Sequence, residues 1–145
     1  MEIRRLTARE VELARDTFVM MAEVFEEPTS PVGVQYVSSL LSRQDFWALA
    51  ALEGGAVVGG LTAHALPLTR AEATELFIYD IAVRADRQRR GIGRALMNKL
   101  FTLGKDAGIR VSFVPAENED SHALDFYRSV GGEPTEVTFF TFERG

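Results

Sequence analysis

The chain has 145 residues, of which 46% are hydrophobic and 26% are charged, a balance typical of one soluble globular domain. The formal net charge of -5 argues against a nucleic-acid-binding protein, which needs a positive surface. It suits a cationic partner, although mild acidity can also serve solubility alone. No apolar run approaches the ~20 residues that span a bilayer, the first residues lack a secretory h-region, and there is no cysteine for disulfides or zinc thiolates. We therefore predict a single cytoplasmic domain over residues 1–145, without a membrane or nucleic-acid partner.

Hydrophobic periodicity predicts an α+β domain with six strands and four helices around a mixed sheet. A capping-box pattern at Thr7–Glu10 announces the first helix, and Glu53-Gly54-Gly55 is a hairpin signal. The predicted elements are a strand over Glu2–Leu6, helices ending near Phe25 and spanning Gly33–Leu41, strands over Phe46–Leu52, Ala56–Ala65 and Glu75–Val83, a helix from Gly91, a strand over Ile109–Val114, a helix over Ser121–Val130 and a last strand over Glu136–Phe142.

A basic turn between a strand and a helix carries the strongest chemical signal. The strand ends in Ile81-Ala82-Val83, residues 84–90 are polar and basic, and Gly91-Ile92-Gly93 opens the helix. Glycines let a backbone approach a ligand closely, and the free amides at a helix start favour an anion. The turn is not a nucleotide P-loop, because Gly-Lys-Ser/Thr is missing, nor a dinucleotide fingerprint, because Leu96 stands at the third glycine position. A tight turn with solvated arginines is the alternative.

Two motifs give the chain its resemblance to a known family. The segment Gln88-Arg89-Arg90-Gly91-Ile92-Gly93 matches the pyrophosphate motif Gln/Arg-x-x-Gly-x-Gly/Ala, which follows a hydrophobic-Ala-Val strand end. Ala123-Leu124-Asp125-Phe126-Tyr127 followed by Gly131-Gly132 matches a second, Ala-x-x-x-Tyr element. The chain thereby resembles the GCN5-related N-acetyltransferase (GNAT) superfamily, and the element order agrees over nearly all of it. The resemblance implies the GNAT fold, a mixed and mostly antiparallel sheet flanked by helices on both faces.

The resemblance also implies roles for these residues in an acetyl-CoA-dependent N-acetyltransferase. Backbone groups of the strand end would hold the acetyl carbonyl and the pantetheine arm, and the amides of the turn would hold the pyrophosphate. Tyr127 would protonate the departing thiolate. The cofactor-binding residues implied are Ile81, Ala82, Val83, Gln88, Arg89, Arg90, Gly91, Ile92, Gly93 and Arg94.

Several segments resemble one subgroup, the aminoglycoside 3-N-acetyltransferases of the gentamicin-resistance type. They are Phe46–Ala51, Ala56–Leu61, Ile78–Val83 and Asp120–Ala123, and together they cover most of residues 46–130. The subgroup leads us to expect an acidic residue in the last strand, where Thr141 stands instead, with Glu143 two residues later. It implies a cationic aminoglycoside as acetyl acceptor and a role in antibiotic resistance. Relatives are often dimers, which leaves a homodimer open.

Acidic residues support a cationic acceptor independently of the resemblance, because ammonium groups need carboxylates opposite them. Asp80 lies inside an apolar strand beside the cofactor motif, where an unpaired carboxylate is costly. We expect Asp80 to be the general base and to bind the acceptor, with Glu26, Glu117 and Asp120 as further acceptor-binding residues; Glu117 or Asp120 could relay the proton. Each of the other acids, taken singly, can also be a solvated surface charge, whereas Asp80 differs because of its apolar strand.

Two histidines, His64 and His122, lie far apart without a ligand pattern, so we predict no metal site. Two other functions remain open at this point. The same machinery could acetylate a protein amine or a simple polyamine, or the chain could be a non-catalytic acyl-CoA-binding module. A pure binding module would need neither Tyr127 nor Asp80, which favours the enzyme.

Overall fold

The computed structural model describes residues 1–28 and 30–145, so Thr29, in the loop predicted after the first helix, lies outside the described residues. The chain forms two compact units, Met1–Pro115 and Ala116–Gly145. The first unit contains β1 (Glu2–Arg5), α1 (Val11–Val24), α2 (Val34–Leu41), β2 (Phe46–Glu53), β3 (Ala56–Pro67), β4 (Thr74–Val83), a 3-10 helix (Ala85–Arg87), α3 (Ile92–Asp106) and β5 (Val111–Phe113). The second unit contains α4 (Ser121–Ser129).

The five strands form one sheet in the order β1-β2-β3-β4-β5. The first four strands pair antiparallel and β5 pairs parallel to β4, which confirms the predicted mixed, mostly antiparallel sheet. The hairpin between β2 and β3 turns at Gly54 (φ 55°) and Gly55 (φ 82°). Two successive positive φ values make the tight turn whose twist matches that of the flanking strands.

Two adjacent glycines of β3 show that helices cover both faces of the sheet. A Cβ atom on Gly59 would lie 3.0 Å from Cγ2 of Ile92 in α3, and one on Gly60 would lie 2.7 Å from Sδ of Met21 in α1. Successive residues of a strand point to opposite faces, so α3 packs on one face and α1 on the other. This arrangement confirms the predicted α+β class and the helices on both faces.

The N-cap of α1 and the last predicted strand differ from the sequence prediction. Helix α1 begins at Val11 with Glu10 as its N-cap, and the Glu10 carboxylate accepts from the Thr7 N–H at 3.0 Å. That bond is one half of the predicted capping box, but Thr7 itself stays outside the helix. The predicted last strand over Glu136–Phe142 is not assigned as a strand, because the second unit, all of which is described, holds no other strand to share its hydrogen-bond ladder.

Candidate active site

The backbone of the basic turn adopts left-handed conformations directly before the N-terminus of α3. Gly91 is the N-cap of α3 with φ 80°, and Arg89 also lies in the left-handed region with φ 65°. The side chain of Gln88 donates to the carbonyl of Val83 at 3.0 Å and thereby fixes the turn to the end of β4. The first amides of α3 have no partner within the helix, and its first turn carries no acidic residue. An anion fits such a helix start.

Ion pairs divide the arginines of this turn into two groups. Arg84 pairs with Asp86 at 2.7 Å, and its hydrogen bond lowers the pKa of the Asp86 carboxyl below the ordinary value. Arg87 pairs with Asp86 and with Glu53, the last residue of β2, each at 3.1 Å. Arg89 and Arg90 are exposed, and neither forms an ion pair with another described residue. Arg84 and Arg87 therefore shape the turn, and Arg89 and Arg90 supply its accessible positive charge.

A β-bulge in β4 determines which residues face α1. Asp80 lies opposite Thr62 of β3, whereas Ile78 lies opposite the next residue, Ala63, so Tyr79 is the extra residue on β4. Leu76 packs under α3, where it would meet a Cβ on Gly104 at 3.1 Å. Ala82, by contrast, packs against two methionines of α1. A regular strand would place residues 76 and 82 on one face, so the bulge reverses the alternation between them.

Asp80 is a half-buried carboxylate on the α1 face of β4. Its pKa is raised above the ordinary value, first because burial disfavours the charged form and second because the nearby Glu27 carboxylate repels it. A carboxyl with a raised pKa accepts a proton more readily, which suits a general base. The structure thus brings Asp80 close to Glu27, a residue that follows α1.

The segment that carries Glu26 and Glu27 has an unusual backbone. The N–H of Glu27 donates to Ala22 and that of Glu26 to Glu23, a Schellman motif that ends α1. Its left-handed position, usually glycine, is occupied by Glu26 with φ 57°. A non-glycine residue in this conformation is strained, so the chain retains a carboxylate where glycine would be easier.

A row of aromatic rings crosses the same face of the sheet. Neighbouring ring centroids lie 5.1–6.5 Å apart along Phe18, Phe46, His64, Tyr79, Phe77 and Phe113. The sequence prediction missed Tyr79 and the place of His64 in this row. The alternation of aliphatic and aromatic residues over Leu76–Tyr79 was the available signal, and the bulge at Tyr79 interrupts the regular alternation of faces.

The remaining predicted site residues belong to the second unit. Asp120 is the N-cap of α4, and its carboxylate accepts from the Ala123 N–H at 3.1 Å, so capping already accounts for it. Glu117 is exposed in the preceding loop. Tyr127 is half-buried next to Phe126. Asp80 and Glu26 belong to the first unit.

Gly131 and Gly132 complete the second sequence motif. Gly131 has φ 97° and donates to Arg128, and Gly132 donates to the carbonyl of Tyr127 at 2.9 Å, a second Schellman motif. A Cβ on Gly132 would lie 2.9 Å from the Tyr127 carbonyl oxygen. The glycine pair is therefore required for the turn that ends the tyrosine helix.

No group of three or more His, Cys, Asp or Glu side chains among residues 1–28 and 30–145 is arranged to hold a metal ion. Over the same residues, no helix combines the length and the apolar character needed to cross a bilayer.

Residues 10–131 match the model of the Acetyltransferase (GNAT) family. The chain belongs to this family. It is also 30% identical over 103 residues to an uncharacterized N-acetyltransferase of Methanocaldococcus jannaschii, MJ1207. That match covers 70% of this chain and 46% of the relative, so the chain spans a little under half of the relative's length.

Two solved structures share both fold and sequence with this GNAT chain. The aminoglycoside acetyltransferase HMB0005, from an uncultured soil metagenomic sample, is 36% identical with a TM-score of 0.94, over 99% of this chain and 98% of its own. The aminoglycoside acetyltransferase meta-AAC0020, also from soil and bound to sisomicin, is 30% identical with a TM-score of 0.92, over 99% and 96%. The aminoglycoside N-acetyltransferase AAC(6')-Iy, bound to CoA, shares the fold alone at 18% identity and a TM-score of 0.81.

Proposed function

We propose that this GNAT protein transfers an acetyl group from acetyl-CoA to an amine of an aminoglycoside. One observation carries the proposal: strand β4 presents a half-buried carboxylate, Asp80, and then continues through the basic turn into the start of α3. A carboxylate suited to an ammonium group and a turn suited to an anion therefore follow one another along the chain. The likeness of nearly the whole chain to two aminoglycoside acetyltransferases supports this class of acceptor.

The residues of β4 and the turn fit acetyl-CoA. Strand β5 pairs with β4 only at Glu75–Phe77, so within the first unit the later part of β4 keeps backbone groups open on that edge. Ile81, Ala82 and Val83 would bind the pantetheine amides there, as an added strand does. The amides of Arg89 to Arg94 and the exposed side chains of Arg89 and Arg90 would bind the pyrophosphate, with Gln88 fixing the turn.

Three groups would carry the chemistry. An acceptor amine arrives protonated, and Asp80, whose raised pKa favours proton uptake, would accept the proton directly or through water. The N–H of Ile81 would stabilise the negative charge on the thioester oxygen. Tyr127 would protonate the thiolate that leaves. Glu26 and Glu117 would hold other ammonium groups, whereas Asp120 already caps α4.

The experiment measures thiol release from acetyl-CoA with a panel of aminoglycosides, linear polyamines and peptides, using wild type and Tyr127→Phe. We expect aminoglycosides to be acetylated with the highest kcat/KM, at the 3-amino group. Tyr127→Phe should lower kcat by roughly 10- to 1,000-fold, around the usual contribution of a general acid, with an unchanged KM for acetyl-CoA.

Each alternative corresponds to a different result of this panel. Acetylation of peptides or linear polyamines but no aminoglycoside would contradict the acceptor class and leave the acetyltransferase. Acetyl-CoA binding without acetylation of any amine would indicate a binding module. Product NMR that places the acetyl group on a 6'-amine would contradict the 3-amino position, and an undiminished kcat in Tyr127→Phe would remove Tyr127 from the chemistry.

A further inference from the structure

The aromatic ring of Tyr79 is exposed at a position where a central strand normally buries its side chains. Tyr79 lies in the middle of β4, and its side chain is 60% exposed, whereas that of the preceding Ile78 is 1% exposed. Core packing does not explain a large exposed aromatic side chain at this position of β4. The exposed ring is therefore accessible to a ligand.

The bulge places this ring beside Asp80. In a regular strand two consecutive side chains point to opposite faces, but the extra residue at the bulge lets Tyr79 and Asp80 share one face. The ring of Tyr79 lies 5.9 Å from that of His64 and 5.5 Å from that of Phe77, on the face that α1 covers. The side chain of Asp80 interacts with Glu27, directly after α1. Both side chains thus belong to the α1 face.

We propose that Tyr79 determines acceptor specificity by binding, through its aromatic face, an ammonium group next to the amine that Asp80 deprotonates. This inference rests on the proposed function and names a residue for it. An aromatic face attracts a cation placed within about 6 Å of its centroid. A carboxylate alone binds any amine, whereas a carboxylate beside a fixed ring selects acceptors that carry two cations at the matching spacing. His64 and Phe77 hold the ring in place, so little side-chain entropy is lost on binding.

The test compares Tyr79→Leu and Tyr79→Phe with wild type in steady-state kinetics with an aminoglycoside. Leucine keeps apolar volume but removes the ring, so the KM for the acceptor should rise roughly 2- to 30-fold, the range of a cation–π contact. The KM for acetyl-CoA and kcat should stay unchanged. Phenylalanine keeps the ring and removes only the hydroxyl, so Tyr79→Phe should restore the acceptor KM of wild type.

Phe101→Leu provides the matched control, since it removes a partly exposed ring from α3 on the opposite face of the sheet. It should change neither KM. The inference is overturned if Tyr79→Leu behaves like wild type, if Tyr79→Phe is as impaired as Tyr79→Leu, or if the KM for acetyl-CoA rises equally. A wild-type protein that acetylates no aminoglycoside overturns the proposed function, and the inference falls with it. If wild type acetylates an aminoglycoside and the Tyr79 variants have the same kinetic constants, only the inference is overturned.

Discussion

Asp80 is a carboxylate whose surroundings oppose its charge. Burial and Glu27 both raise its pKa, and no Lys or Arg lies within ion-pair distance of it in the part of the chain that the structure describes. An ionised Asp80 therefore costs folding free energy at neutral pH. A residue kept at such a cost is typical of a functional site, where stability is given up for chemistry.

Replacing Asp80 by Asn should stabilise the protein and impair its activity. With a pKa above the ordinary value in the folded state, Asp80 keeps a proton that the unfolded chain loses at lower pH. Stability therefore falls as pH rises through that interval and stays lower at neutral pH. Asp80→Asn should raise Tm at pH 7 and lose this advantage below the ordinary carboxyl pKa of about 4. Its kcat with an aminoglycoside should fall roughly 100-fold or more.

Thermal unfolding at pH 7 and near pH 3.5 to 4, together with kinetics at pH 7, checks this prediction. Glu75→Gln offers a comparison on the same strand, at a residue outside the proposed site, and should leave kcat unchanged. A lower Tm of Asp80→Asn at pH 7 would mean that the carboxylate stabilises the fold, and its functional assignment would lose its main physical support.

Of the two neighbouring residues Asp80 and Tyr79, the sequence predicted a site role only for Asp80. Asp80 was predicted because a charge inside an apolar strand is conspicuous. Tyr79 was not, because its exposure depends on a bulge that arises from the register between β3 and β4. The proximity of Glu27 to Asp80 was equally hidden, since it depends on how the chain leaves α1 after the left-handed residue Glu26. Register and chain path are tertiary properties that residue types alone do not specify.

At the scale of elements, the hairpin of β2 and β3 supports the basic turn. Arg87, in the 3-10 helix, reaches Glu53 at the end of β2 at 3.1 Å, although the two residues are 34 positions apart. Arg84 also donates its backbone N–H to Val58 of β3. The turn is thus braced from the neighbouring hairpin, and we infer that Glu53 is a positioning residue for the proposed pyrophosphate site.

Glu53→Gln should weaken acetyl-CoA binding without changing the chemical step. A partly exposed ion pair contributes about 0.2–1 kcal/mol, so the KM for acetyl-CoA should rise up to about fivefold while kcat and the acceptor KM stay the same. Steady-state kinetics with acetyl-CoA as the varied substrate measures this. Glu12→Gln is the matched control, because it breaks a pair of equal length, 3.1 Å, between Glu12 and Arg15 within α1. Equal effects of both variants, or a change in kcat alone, would contradict the positioning role.

Most helices and strands were predicted correctly because each is indicated by a sequence pattern within its own short segment. The glycine turn at 54–55, the start of α3 after Gly91 and the glycines after α4 lie where the sequence predicted them. The first helix follows the Thr7–Glu10 pattern as predicted, with Glu10 and not Thr7 as its N-cap. The strand predicted over Glu136–Phe142 depended on a partner strand, and no local pattern supplies one.

At the scale of the whole molecule, element order and the family resemblance predicted the α+β class and the mixed sheet. They could not predict which side chains share a face of β4, and the prediction of one domain over residues 1–145 stays a prediction. The GNAT family and the likeness of this chain to aminoglycoside acetyltransferases indicate acetyl transfer more firmly than they indicate the acceptor. For the acceptor, the charge of the whole chain offers an independent test.

The chain carries a net charge of -5, and the carboxylates proposed to hold the acceptor, Asp80 and Glu26, add to an attractive field for a polycation. Salt screens exposed charges over about 8–10 Å at moderate ionic strength, so kcat/KM for the acceptor should fall as salt rises. The fall should be steeper for an aminoglycoside with many amino groups than for one with few, because each additional ammonium group loses its own attraction. Both acceptors are measured at saturating acetyl-CoA, which keeps screening of the basic turn out of the comparison. Equal slopes for the two acceptors would mean that the acceptor is held by contacts other than its charge, and the carboxylates would have no part in choosing it.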